Sequence, residues 1–346
     1  MSNRIGTAIG LKQVERKVLL TCGGWALLSL LVFGGGMALR DRPDWFVLLV
    51  SLLKIGSFLL ATALCWRNTM HPSILSGRNV WQAIALGMAF YALGDITVIL
   101  WRSLWGMTST VSLGDVFYGA SYLFLALGLL LAVMPRPINL SLPQTLGISF
   151  TGIVGIVLAS WINFYAPTTA PELPINSAEI VQAEILQTNG AMAEPLQRRI
   201  ATSTDAVLAV QPADSKGAAA GAIASSSKSA PAIIRTIDER LSGIASHLGL
   251  LYVAGDCALV VMAVALLVAF WGGSYSEAWK LVALAGLCLY VADMFLIYQI
   301  GQGEYRQGAP WEIFWILSAL FFSLSAGVEH GLSTQLKQRS HRRHRL

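Results

Sequence analysis

The segment from Trp81 to Trp101, WQAIALGMAFYALGDITVILW, carries a single charged residue, Asp95. An apolar run of about 20 residues is the length that an α-helix needs to cross roughly 30 Å of hydrocarbon. An isolated strand would leave its backbone groups without hydrogen bonds in lipid, so only a helix fits such a run. The segment therefore predicts a transmembrane helix with a carboxylate inside it.

Similar runs fill most of the chain. Of its 346 residues, 55% are hydrophobic and 12% are charged, with a mean hydropathy of +0.61, whereas soluble domains carry about 25% charged residues. We predict an all-α, polytopic membrane protein with about eight transmembrane helices. The predicted spans are Val18–Ala38, Trp45–Cys65, Trp81–Trp101, Leu113–Met134, Leu142–Phe164, Leu248–Phe270, Trp279–Ile300 and Trp311–Leu332.

Lysine and arginine are distributed unevenly between alternate loops, and the richer side is cytoplasmic under the positive-inside rule. That side holds Arg4, Lys12, Arg16, Lys17, Arg67, Arg78, Arg136, Lys280, Lys337, Arg339, Arg342, Arg343 and Arg345. The short loops of the other side hold Arg40, Arg42, Arg102 and Arg306. Both termini are therefore predicted in the cytoplasm, which explains the pI of 9.1 without a nucleic-acid partner. The final RSHRRHRL either enforces this topology or binds anionic lipid headgroups.

A long segment after the fifth span contains no Phe, Trp, Tyr or Cys, so it buries too little apolar area to fold alone. We predict a flexible outer linker at 165–247 that ends in a helix on the membrane surface, Ile233–Leu248, with a weaker helix at Ala178–Thr188. The other predicted parts are a cytoplasmic N-terminus at 1–17, a first four-helix half at 18–164, a second half at 248–332 and a basic cytoplasmic tail at 333–346. The fifth helix, 142–164, is expected to pair with the second half.

Two parts of the chain also resemble each other. WQAIALGMAFYALGDITVIL begins at residue 81 and WKLVALAGLCLYVADMFLIY at residue 279, and after a short loop SLGDVFYGASYLFLALG aligns with APWEIFWILSALFFSLS. With four spans in each half, the match predicts two parallel four-helix repeats about an axis along the membrane normal. The aligned pairs are Trp81 and Trp279, Asp95 and Asp293, Asp115 and Glu312, Phe117 and Phe314, Tyr118 and Trp315, and Ser121 and Ser318.

Charged residues within or at the ends of the spans are the candidate ligand- or ion-binding residues, because a carboxylate in hydrocarbon costs roughly 2.5–3.5 kcal/mol. They are Asp95, Asp256, Asp293, Lys54, Asp115 and Glu312. All the acids fall in the predicted outer half, so we expect a polar outer cavity in which Lys54 neutralises Asp256 or Asp95. The alternative is structural: Asp115 and Glu312 cap helices, and the others hold neighbouring helices together by hydrogen bonds.

The sequence contains no HExxH, GxSxG, phosphate-loop or dinucleotide pattern, and we predict no catalytic residue, cofactor or metal. The cysteines fit small buried residues of the spans; they are Cys22, Cys65, Cys257 and Cys288. Only His71 and His330 share a depth, as a bis-histidine haem would require. Glu329 is expected in solvent at the inner interface.

The pattern YALGD, followed by an apolar run, a polar loop and LGDVFYGASYLFLALGLLL, resembles bacterial multi-span membrane sensory modules that precede GGDEF or histidine-kinase domains. The matching positions are Gly94, Asp95, Asp115, Tyr118 and Tyr122. The resemblance implies a sensory role in a bacterial inner or plasma membrane. Only a short basic tail follows Leu332, so no output domain is expected and a signal would pass to a separate cytoplasmic protein.

The leading hypothesis is a non-enzymatic integral membrane protein of the sensor or accessory type, whose acid-lined outer cavity binds a small ligand or cation. The alternative is an ion-coupled small-molecule transporter, favoured by the repeat and by the charges within the spans. A membrane enzyme acting on lipids is a remote third interpretation, since carboxylates near an interface can serve as acid and base.

The predicted topology can be tested by cysteine labelling in intact cells, with the four native cysteines replaced by alanine. A membrane-impermeant maleimide should label Ser215→Cys in the linker without lysis. It should label Ser340→Cys in the tail only after the membrane is opened. Labelling of the tail variant in intact cells would reverse the predicted orientation.

Overall fold

The computed structural model describes residues 16–39, 42–72, 74–105, 111–134, 141–165, 230–242, 245–269, 276–302 and 305–343. Within these ranges the regular structure is helical, without a β-strand. The helices are α1 Arg16–Met37, α2 Asp44–Thr69, α3 Arg78–Trp105, α4 Leu113–Val133, α5 Leu142–Tyr165, α6 Ala232–Ser242, α7 Ala245–Ala269, α8 Ser276–Gly301 and α9 Ile313–Arg343. A short 3₁₀ turn, Pro310–Glu312, leads into α9.

Eight of these helices, all except α6, are long and apolar enough to cross a membrane. The predicted all-α fold and the eight spans are therefore confirmed, with ends that mostly shift by a few residues. The main difference is α9, which continues to Arg343 rather than ending at Leu332. The added residues include Lys, Gln and Arg, which are good helix formers, so the helix outlasts its apolar stretch.

The linker prediction falls largely outside the described residues, as does the predicted helix Ala178–Thr188. Its last part is described, and there the expected amphipathic helix is found as α6, Ala232–Ser242. Its Ile234 and Ile237 pack against a buried cluster that contains Trp101, near the end of α3. This helix therefore marks one end of the bundle, which we call the α6 end.

Six of the spans form a closed ring. Each packs on the next in the order α2, α3, α4, α7, α8 and α9, and α9 returns to α2. The helix α1 lies outside the ring against α9 and α2, and α5 lies outside it against α7 and α8. The interior of the ring is filled with apolar side chains from all six helices, among them Phe58, Trp81, Leu125, Leu266, Trp279 and Phe322.

Glycines allow α3 and α4 to approach closely. A Cβ on Gly94 would lie 2.5 Å from the Tyr118 ring, and one on Gly128 would lie 2.9 Å from the Ile84 side chain and 3.3 Å from the Val80 carbonyl. Small residues at such contacts increase the packing between membrane helices. The close approach places Tyr118 of α4 directly beside α3.

The opposite end of the bundle holds a buried acid that the sequence interpretation placed in solvent. Glu329 of α9 is fully buried, and its Oε1 accepts hydrogen bonds from the Ser76 N–H and hydroxyl, both at 2.8 Å. The expectation of a solvated Glu329 was therefore wrong. The carboxylate ties the connection between α2 and α3 to α9, a contact between residues far apart in the chain.

Substitution of Gly128 by leucine should destabilise the bundle by about 1–3 kcal/mol, because the added side chain would overpack the contact between α3 and α4. The matched control is Gly147→Leu on α5, where a Cβ added to the glycine would meet no other atom within 4 Å. Thermal unfolding in detergent should show a lower Tm for Gly128→Leu than for the control. Equal Tm values would contradict the close packing of this helix pair.

Candidate functional site

A cavity of about 160 Å³ lies within the ring at the α6 end. All six ring helices contribute to its wall, and the loop before α9 adds to its rim. Its polar lining is dominated by carboxylates and phenols. The lining residues with charged or aromatic side chains are Lys54, Tyr91, Asp95, Trp101, Arg102, Asp115, Tyr118, Tyr122, Tyr252, Asp293, Tyr305 and Trp315.

An ion pair between Lys54 and Asp95 forms one wall of this cavity. The Lys54 Nζ lies 2.8 Å from Asp95 Oδ1 and 4.4 Å from the centroid of the Trp315 ring. The Tyr118 hydroxyl donates to the same Asp95 oxygen at 2.7 Å. Of the two partners that the sequence left open for Lys54, the structure therefore has Asp95. A cation over an indole face is further stabilised by the ring quadrupole.

The second oxygen of Asp95 has no hydrogen-bond partner among the residues that the structure describes. Asp95 is only 3% exposed, and its Oδ2 is buried. Buried polar atoms are normally hydrogen-bonded, so each exception requires an explanation. This oxygen belongs to a residue of the cavity wall.

Two further acids meet at one tyrosine. The Tyr122 hydroxyl lies 2.7 Å from Asp256 Oδ1 and is also hydrogen-bonded to Asp293 Oδ2. The other oxygen of Asp293 accepts from Trp315 Nε1 at 2.7 Å. Asp293 and Tyr122 line the cavity, whereas Asp256 does not and is only 1% exposed. Asp256 therefore lies behind the cavity wall and reaches it through Tyr122.

The remaining two candidate acids are helix caps, as the structural alternative proposed. Asp115 forms a capping box with Ser112, whose backbone N–H donates to Asp115 Oδ2 at 2.7 Å. Its other oxygen accepts from the Tyr252 hydroxyl at 2.8 Å, so this cap also links α4 to α7. Glu312 accepts from the N–H groups of Gly308 and Ala309 at 2.7 and 3.2 Å and does not line the cavity.

The rim of the cavity is held by a chain of polar contacts. Arg102 donates to the Gln307 side-chain oxygen at 2.8 Å, and the Gln307 amide donates to Ser51 at 3.2 Å. Burial, together with the nearby Glu312 carboxylate, raises the pKa of Tyr305 above its ordinary value, so its phenol is neutral. Because Arg102 is exposed, it is the charged group of the rim that lies nearest to solvent.

Sequence reasoning did not assign a role to the aromatic partners of the acids. Tyr252 and Trp315 were missed as site residues, and Tyr122 entered only through the resemblance. One signal was present: the predicted repeat aligns Tyr118 with Trp315, and these two donate to Asp95 and Asp293, which it also aligns. No comparable signal marks Tyr252.

The histidine and cysteine candidates do not form a cofactor site. The His71 and His330 rings are 4.9 Å apart at an angle of 74°, closer than two axial ligands on either side of a haem iron. The four cysteines are buried free thiols. Over the described ranges, no group of three or more His, Cys, Asp or Glu side chains is arranged to hold a metal ion.

Comparisons with protein-family models, with curated proteins and with solved structures found no match to this chain. The interpretation of the cavity therefore depends on its own geometry.

Removal of Lys54 alone should be more damaging than removal of both partners of the ion pair. Lys54→Met leaves the Asp95 carboxylate buried without its cation, and breaking a buried pair in this way costs roughly 3–5 kcal/mol. The double variant with Asp95→Asn should recover much of that loss. Tm values of the wild type, the two single variants and the double variant form the cycle, and additive losses would contradict a direct ion pair.

Proposed function

We propose that this protein is a membrane receptor of the sensor or accessory type whose cavity binds a small organic cation. Among the described residues, three carboxylates line the cavity against two cationic groups, Lys54 and the exposed Arg102. Lys54 is already paired with Asp95. The excess of buried acid, with the partnerless Asp95 Oδ2 beside it, is the observation that carries this proposal.

The size and the aromatic lining favour an ammonium compound over a bare metal ion. A cavity of about 150 Å³ holds one benzene molecule, so this one accommodates roughly six to eight non-hydrogen atoms. Tyrosine and tryptophan faces attract ammonium groups, including quaternary ones, and Trp315 already does so with Lys54. Choline has the appropriate size and charge for a probe.

A receptor fits the fold better than a carrier does. Carriers commonly build their sites from helices broken at mid-membrane, whereas the ring helices run unbroken through the described spans. Towards the opposite end, the interior is packed with large apolar side chains. A carrier remains the second candidate because Lys54, Asp95, Asp256 and Asp293 place charge within the spans.

An internal duplication is part of the proposal. Its support is that aligned residues make equivalent contacts: Tyr118 bonds Asp95 as Trp315 bonds Asp293. The aligned acids Asp115 and Glu312 both cap the following helix. The order of packing around the ring is also unchanged when α2, α3 and α4 are exchanged with α7, α8 and α9.

We further propose that ligand binding is passed to a cytoplasmic protein through α9. This helix carries Trp315 beside the cavity and continues to Arg343. Its far end includes Lys337, Arg339 and Arg342, a basic segment suited to an acidic partner surface or to anionic lipid. One continuous helix thus connects the cavity with the opposite end of the bundle.

Binding of choline to purified protein in nanodiscs, measured by calorimetry, tests the proposed site. The neutral isostere 3,3-dimethylbutan-1-ol should bind much more weakly, because it lacks the charge that the acids recognise. Asp293→Asn should weaken choline binding by roughly 10–100-fold, because the loss of one hydrogen bond or contact to a charged group changes affinity by about that factor. The matched control on the same helix is Glu277→Gln, which lies outside the cavity next to Lys280.

Equal binding of choline and its neutral isostere, or full affinity in Asp293→Asn, would refute cation recognition by this cavity. Liposomes that contain the protein and are given radiolabelled choline separate the two candidate functions. A receptor binds choline without concentrating it inside, whereas net uptake that Asp293→Asn abolishes would assign the protein as a carrier.

A further inference from the structure

We propose that Asp256 and Asp293 share one proton through Tyr122, and that a cation entering the cavity displaces this proton. The shared proton follows from the ligand-free geometry. The exchange rests on the proposed function, because it requires the cavity to bind a cation.

The Tyr122 hydroxyl faces two carboxyl groups with a single proton to donate. A phenol has a single proton, so its hydroxyl donates one hydrogen bond at a time. The Tyr122 oxygen nevertheless lies within hydrogen-bonding distance of a carboxyl oxygen of Asp256 and of one of Asp293. Both contacts are hydrogen bonds only if one carboxyl is protonated and donates to the Tyr122 oxygen. The three groups then form a chain in which the proton resides on either acid.

Asp256 is also deeply buried. Over the part of the chain that the structure describes, its buried Oδ2 has no hydrogen-bond partner, and the residue is 1% exposed. Two ionised carboxylates at one hydroxyl would bring two negative charges together away from water, which is the situation in which paired acids retain one proton. A protonated acid removes one of these charges and leaves both hydrogen bonds in place.

The two sides of the ring carry different charges at this level. On one side, Lys54 of α2 supplies the positive charge to Asp95 of α3. On the other, Asp256 of α7 stands next to Asp293 of α8 through Tyr122. The helix that packs on α8 thus contributes an acid, whereas the helix that packs on α3 contributes an ammonium. A proton or an external cation has to supply the positive charge that a lysine supplies on the other side.

Other titratable groups face these two acids from the helices packed around them. They are Lys54 on α2, Tyr91 and Asp95 on α3, Tyr252 and Cys257 on α7 and Tyr290 on α8. Lys54 is the positive group among them, and its ammonium is bound to Asp95. It therefore does not replace the shared proton.

The exchange is balanced in charge and atoms. In the free protein, Asp256, Tyr122 and Asp293 together carry one negative charge and one shared proton. When a cation binds beside Asp293, the second carboxylate is stabilised in its ionised form, and the proton leaves through the cavity to solvent. One positive charge enters and one leaves, so the net charge within the span is unchanged.

Asp256→Asn is the informative variant. The amide that replaces the carboxyl has permanent N–H donors, so it can donate to the Tyr122 oxygen as a protonated acid would. It preserves the two hydrogen bonds and removes the exchangeable proton. Tyr122→Phe is the second variant; it removes the bridging hydroxyl while leaving both acids in place.

Infrared spectra of the ligand-free wild type and of each variant, recorded at neutral pH and subtracted from one another, test the shared proton. The wild type should show a carbonyl stretch of a protonated carboxylic acid, shifted in D₂O. The band should be absent in Asp256→Asn, displaced in Tyr122→Phe and unchanged in the control Glu277→Gln. If neither Asp256→Asn nor Tyr122→Phe alters a carboxylic-acid band, the shared proton is ruled out.

Calorimetry of choline binding in buffers with different ionisation enthalpies tests the exchange. Choline has no ammonium proton of its own to lose, so a released proton must come from the protein. About one proton should leave per choline bound in the wild type, and affinity should increase with pH by up to tenfold per unit. Asp256→Asn should bind choline without proton release and without this pH dependence.

The two proposals fail in different ways. Binding of choline with no proton release and no affected infrared band would overturn the present inference and leave the cation receptor standing. Absence of choline binding with the infrared band present would overturn the receptor and the exchange, while the shared proton would stand.

Discussion

The buried ion pair of Lys54 and Asp95 determines how the α6 end of the bundle is arranged. Either charge alone would be costly inside the ring, so the helices that carry them, α2 and α3, are held at one register. Tyr118 completes the Asp95 contact from α4, and Trp315 covers the lysine from α9. Four of the six ring helices are thus fixed by one neutral pair, and the cavity is the space that they and the remaining two helices leave.

Much of the architecture follows from the sequence because a membrane imposes a simple requirement. Runs of about 20 apolar residues must be helices that satisfy their own backbone, so the spans could be located without knowledge of their packing. Helix ends were harder to predict. The last span was expected to end at Leu332, where the apolar run stops, but the basic residues after it also favour a helix and extend it to Arg343. The capping roles of Asp115 and Glu312 were also readable, because a cap is a local arrangement.

The pairing within the site could not be derived in the same way. Tyr122 and Asp256 are 134 positions apart and Tyr122 and Asp293 are 171 apart, and they meet only because ring closure brings α4 beside α7. Amphipathic patterning does not reveal which neighbour a span chooses when lipid-facing and core-facing residues are equally apolar. The burial of Glu329 was likewise not predictable, since it depends on a distant loop that packs onto α9.

The position of Lys54 also has a consequence for which acids of the cavity a free cation could reach. Its ammonium is a resident competitor: it occupies an aromatic face and an acid that would otherwise suit an incoming cation, and it is attached to the wall by its own side chain. A tethered group acts at an effective concentration in the millimolar range or above, so a free cation gains little by trying to replace it. If a cation enters the cavity as proposed, the lining acids left to it are therefore Asp115 and Asp293, which Lys54 does not bind, and its affinity should depend on them.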